Sequence, residues 1–103
     1  MVAVMTAVLE PETETKPETK TIPRWKVILL NDEVTTMEFV IDLLITLFRK
    51  ERPEAIRLTY EVHDSGSALI TTTSFERAEL YVDQVKSLAR PRGFPLTATL
   101  EPE

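Results

Sequence analysis

The chain has 103 residues, enough for one folded domain and too few for two, and its 43% hydrophobic and 28% charged residues are those of a folded protein. With no cysteine it has no disulfides, no thiolate nucleophile and no Cys-ligated metal, and with His63 as its single histidine it lacks any site that needs two imidazoles. A net charge of −5 disfavours binding to nucleic acid phosphates and to anionic membranes.

Residues 1–23 differ in composition from the rest. Glu10 to Thr21 has no apolar residue beyond two prolines, so it buries too little surface to offset its conformational entropy. A disordered N-terminal extension is expected over 1–23, with one folded domain over 24–103. The apolar opening Val2 to Leu9 has no basic leader and runs into Glu10, so a secretory signal is not expected. No apolar run approaches the ~20 residues needed to span a bilayer.

Arg24 to Leu30 is rich in strand formers, with Trp25, Val27 and Leu29 on one face. Asn31-Asp32-Glu33 stops the strand. Thr35 and Glu38 have the spacing of a capping box, and the apolar residues Phe39, Val40, Leu43, Leu44, Leu47 and Phe48 predict a helix closing on Arg49-Lys50. Pro53 opens a second helix with Ala55, Thr59 and Val62 on one face and His63 beside them, stopped by Gly66. Ala68 to Thr72 reads as a short strand with weak alternation. Thr73 and Glu76 predict a second capping box, leading a helix with Ala78, Val82, Val85 and Ala89 on one stripe and ended by Pro91 and Gly93. Leu96, Ala98 and Leu100 alternate inward in a last strand. The order β-α-α-β-α-β predicts an α+β fold: a three-stranded antiparallel sheet with three helices packed on one face.

Polar groups collect at Asn31-Asp32-Glu33, at the strand-to-helix corner, and at His63, near the end of the second helix. An amide oxygen, carboxylates and a neutral imidazole are acceptors suited to a compact cation with several donors, such as an ammonium group. Met37 and Val40 on the first helix, and Thr59 and Val62 on the second, sit beside them at i, i+3 spacing and supply an apolar wall. Plainer accounts stand alongside. Asn-Asp-Glu before a helix serves turns and caps, a histidine near a helix C-terminus suits the dipole, and Met37 and Val40 suit a core. An enzyme is not expected: nothing in the sequence marks Ser65, Ser67, Ser74 or Ser87 as a nucleophile. Glu61, His63 and Asp64 are a thin set of metal ligands, and no cofactor is expected.

The run Trp25 to Val40, with its Asn-Asp-acid-x-Thr-x-Met-Glu-Phe-Val core, resembles the signature of the ClpS adaptors of bacterial ATP-dependent Clp proteases. Val62-His63, the helix entered at Phe75-Glu76 and the closing Pro95 to Glu101 follow in that family's order. The resemblance spans about Arg24 to Glu101. It implies a protein that binds destabilising N-terminal residues (Leu, Phe, Tyr, Trp) of N-degron substrates and delivers them to a Clp AAA+ unfoldase, of ClpA or ClpC type, in the bacterial cytoplasm; a monomer is expected. Carried over by position, Asn31 and His63 hold the free α-amino group, and Asp32 helps at the amine and the first peptide unit. Glu33 and Thr35 support the pocket mouth. Met37, Val40, Val62 and Leu96 line the side-chain pocket, with Met37 as a gate against β-branched side chains. Glu76 lies on the surface that docks to the unfoldase.

The sequence departs from the family's pattern at several places. Thr36 replaces a usual proline, Thr59 a common pocket methionine and Tyr81 a common docking lysine. Leu69 to Thr72 replaces a Cys-Gly-Val-Phe run. The alternative reading is a structural interaction domain like the C-terminal domain of the ribosomal stalk protein, which shares the fold.

Overall fold

The computed structural model describes residues 22–103, so the extension expected over 1–23 lies outside the described residues except for Ile22 and Pro23. Strand β1 (Trp25–Leu30) is followed by helices α1 (Met37–Thr46) and α2 (Arg52–Ser65), strand β2 (Ser67–Thr73), helix α3 (Phe75–Ala89), a single 3₁₀ turn (Arg90–Arg92) and strand β3 (Thr97–Pro102). The sheet order is β2-β1-β3 with both pairings antiparallel, as the element order predicts.

The buried strand residues are Val27 and Leu29 on β1, Ala68 and Ile70 on β2, and Ala98 on β3, so one face of the sheet carries the core. Against it pack Val40, Leu43 and Leu44 of α1, Ala55, Leu58 and Val62 of α2, and Ala78, Val85 and Ala89 of α3. Leu29 and Leu44 are completely buried, each worth about 1.5–3 kcal/mol in transfer from water. Aromatic pairs close the margins of this core: Phe48 stacks on Tyr81 at 4.5 Å, and Phe39 meets Phe94 edge-on at 5.0 Å.

The weak alternation of β2 has a structural cause. Val27 pairs with Thr71 while Ile28 pairs with Leu69, so Ile70 is the extra residue of a β-bulge. The bulge lets Ile70 stay buried while the three threonines after it resume pairing with β1.

Three local expectations are corrected. The cap of α1 is Thr36, not Thr35: the Thr36 hydroxyl accepts from the Phe39 amide at 3.2 Å. Thr35 is instead drawn into the preceding turn by Asp32. The cap of α3 is Ser74, not Thr73, which the β1 ladder retains as the partner of Trp25. Helix α1 ends at Thr46, short of Arg49-Lys50. There Arg49 takes a left-handed φ of 60°, and the Lys50 amide donates to the Leu44 carbonyl at 3.0 Å. Burial of Phe48 in the core turns the chain before the basic pair can join the helix.

Candidate functional site

Three connections bring the site together. The first is the stop of α2. Gly66 adopts φ 93°, a conformation that glycine takes without the steric penalty of a Cβ, and its amide donates to the Val62 carbonyl. Its own carbonyl then accepts from the amide of Asn31 at 2.9 Å. The corner after β1 is thereby fastened to the end of α2, and Asn31 is placed beside the turn that carries His63.

The second connection is the Asp32 turn. One carboxylate oxygen accepts from the amides of Val34 (2.8 Å) and Thr35 (2.7 Å), and the other accepts from the Thr35 hydroxyl (2.7 Å). Partial burial alone would raise the pKa of Asp32. The Thr35 amide and hydroxyl, the Val34 amide and the charge of Arg90 outweigh it and hold the carboxyl below its ordinary value. Asp32 is thus first of all the anchor of its own loop, with lone-pair capacity remaining on the oxygen that accepts only the Thr35 hydroxyl.

The third connection is the packing of α1 against α2. Val40 faces inward from the first, Thr59 and Val62 from the second, and all three are buried. The Thr59 hydroxyl donates to the Ala55 carbonyl at 2.8 Å, which satisfies its proton within the helix.

Between these elements lies a cleft of about 340 Å³. Asn31, Asp32, Glu33, Thr35 and His63 border it, as do Met37, Val40, Thr59 and Val62. The structure therefore brings nine of the ten expected pocket residues to one cavity. Its polar wall is open: Asn31, Glu33 and His63 are exposed. The opposite wall is dry, with Val40, Thr59 and Val62 each at 5% exposure or less and Met37 half-buried at the edge.

Leu96 is set apart. It is 1% exposed within the core and does not border the cleft, because its place just before β3 points it between sheet and helices. Its carbonyl accepts from Arg90 at 2.7 Å. Glu76 is exposed in the first turn of α3, and Tyr81 is half-buried against Phe48, both away from the cleft. Sequence reasoning missed the structural part of the Gly66 carbonyl, which the pairing of Leu30 with Ser67 makes the natural neighbour of Asn31. It also missed Arg90, for which no sequence pattern gives a signal.

Among the described residues no three His, Asp or Glu side chains gather as a metal site, and no helix is long and apolar enough to cross a membrane. The cleft offers acceptors at its mouth and an apolar recess behind them. Fold and cleft together define a small α+β recognition domain. Residues 20–99 match the family model described as ATP-dependent Clp protease adaptor protein ClpS. The chain is 40% identical over 90 residues to the ATP-dependent Clp protease adapter protein ClpS of Acetivibrio thermocellus, covering 87% of this chain and 91% of that protein. It is 41% identical over 91 residues to the same adapter of Maricaulis maris, covering 88% and 84%. Among solved structures it is similar to Agrobacterium tumefaciens ClpS2 bound to L-phenylalaninamide, with a TM-score of 0.77 and 35% identity over 80% of this chain and 99% of that one. The chain belongs to the ClpS family of ATP-dependent Clp protease adaptors. Membership sets aside the ribosomal stalk alternative.

Proposed function

We propose that this adaptor binds the first residue of substrate proteins (Leu, Phe, Tyr or Trp) in the cleft and delivers them to a Clp AAA+ unfoldase of ClpA or ClpC type. The observation that carries this reading is the division of one cavity into an open wall of acceptors and a buried apolar wall. A free N-terminus presents the matching pair: an ammonium group with several donors, and an apolar side chain leaving the same carbon. L-phenylalaninamide, the molecule bound to the Agrobacterium relative, has the same two parts.

In this reading Asn31 and His63 accept from the α-ammonium group. Asp32 holds the loop and adds negative charge beside the amine, while Glu33 and Thr35 shape the mouth. Met37, Val40, Thr59 and Val62 enclose the side chain. Glu76 and Tyr81, on α3 away from the cleft, belong to the surface that meets the unfoldase, so substrate and unfoldase are held at once.

The test is a fluorescence-anisotropy titration with Leu- and Phe-initiated peptides, free or N-acetylated. Acetylation removes the charge and most donors. Hydrogen bonds to charged groups contribute ~1.5–3 kcal/mol each, so affinity falls at least about tenfold. Equal affinity for free and acetylated peptides refutes the amine site.

A further inference from the structure

We propose that Thr59 makes the buried end of this cleft a reader of hydrogen-bond donors, so that N-terminal Tyr and Trp are preferred to Phe; the inference rests on the reading of the cleft as a site for N-terminal residues. Thr59 is the only polar side chain in the buried core among the described residues, at 2% exposure, and it forms part of the cavity wall. The core itself does not call for it, since its buried neighbours on α2, Ala55, Leu58 and Val62, are all apolar.

The hydroxyl has one proton, and that proton is committed to the Ala55 carbonyl at 2.8 Å. A hydroxyl retains acceptor lone pairs after donating, so toward a guest Thr59 acts as an acceptor and not as a donor. The other buried residues of the wall, Val40 and Val62, carry no polar side-chain atom.

Thr59 lies one turn before His63 on α2, about 6 Å along the helix axis, and both border the same cleft. With the α-amine held at His63 and Asn31, a guest side chain that runs inward toward Thr59 carries its distal atoms to that depth. Tyr carries an O–H at the tip of its ring and Trp an N–H on the edge of its indole; Phe and Leu carry no donor. A donor buried against an apolar wall loses its water without compensation, whereas one that meets the Thr59 oxygen keeps a partner. A methionine at this position would remove that oxygen and return the contest to apolar area alone.

The experiment compares the Tyr/Phe affinity ratio of otherwise identical peptides for the unmutated chain, Thr59→Val and Thr59→Ser. Valine keeps the branched shape and removes the oxygen; serine restores the oxygen. The ratio is expected to shift about tenfold against Tyr in Thr59→Val and to recover in Thr59→Ser. A ratio that stays within about twofold while Phe peptides still bind overturns the role of Thr59 and leaves the amine site standing. Failure of the unmutated chain to bind any free N-terminus overturns both. A second measurement needs no variant: on the unmutated chain, a Trp-initiated peptide should bind several-fold more tightly than one starting with benzothienylalanine, which keeps the ring shape without the N–H. Equal affinity for these two also overturns the proposal.

Discussion

The amide of Asn31 donates to the carbonyl of Gly66 at 2.9 Å, and this bond joins the corner after β1 to the end of α2. The two polar halves of the cleft come from segments more than thirty residues apart, and this contact sets their spacing. Gly66 can supply it because its φ of 93° turns the chain sharply out of the helix.

Replacing Gly66 tests that linkage. A Cβ at this position would meet nothing within 4 Å, so Gly66→Ala carries only the left-handed backbone penalty, about 1–2 kcal/mol. Gly93, at φ 80° and also with open space around it, is the control. Both alanine variants should lose similar stability in urea denaturation, but only Gly66→Ala should also weaken binding of a Phe-initiated peptide. Equal binding by the two variants would show that the Asn31–Gly66 bond does not organise the cleft.

The Asp32 turn gives stability a pH dependence. The folded carboxyl titrates below its unfolded value of 3.8, so its contribution is complete above 3.8 and is lost as pH falls through the lower folded value. Asp32→Asn should therefore cost about 1 kcal/mol at pH 7, with the difference from the unmutated chain narrowing in acid. Parallel stability curves from pH 7 to pH 2 would contradict the account.

Met37 stands half-buried at the edge of the cleft, at the first position of α1. A guest branched at Cβ is widest where it leaves the amine site, which is where a gate would act. Met37→Ala should raise affinity for Ile- and Val-initiated peptides about tenfold relative to Leu-initiated ones. If β-branched peptides stay excluded, Met37 is only part of the wall.

Delivery is expected to depend on the segment Met1 to Lys20, all of which but its last residue lies ahead of the family match over residues 20–99. Deleting Met1 to Lys20 should leave peptide affinity and Tm unchanged, because all residues around the cleft lie beyond it. The same deletion should abolish degradation of a Leu-initiated reporter by a reconstituted Clp unfoldase and protease. Normal degradation would reduce the segment to a spacer, and a loss of affinity would place it in the pocket.

The apolar periodicities were enough to read the α+β order, the inward faces of β1 and α2, and the glycine stops, because side-chain burial imposes a period of two on strands and 3.6 on helices. The acceptors Asn31, Asp32 and His63 were legible as a group at element ends, although turn and dipole roles account for each singly and Asp32 does anchor its own turn. What depended on three dimensions was which of two adjacent hydroxyl residues does the capping. Thr35 and Thr36 are equivalent to a spacing rule, but Asp32 takes the first into its turn and leaves the second to the helix. The ladder with β1 likewise keeps Thr73 and passes the cap to Ser74. Leu96 shows the same limit from the other side: alternation says that it points inward, but only the packed structure separates the inside of the core from the wall of the cleft. Local pattern reports which groups leave the water, whereas the neighbours they meet there are set by tertiary contacts between segments distant in the chain.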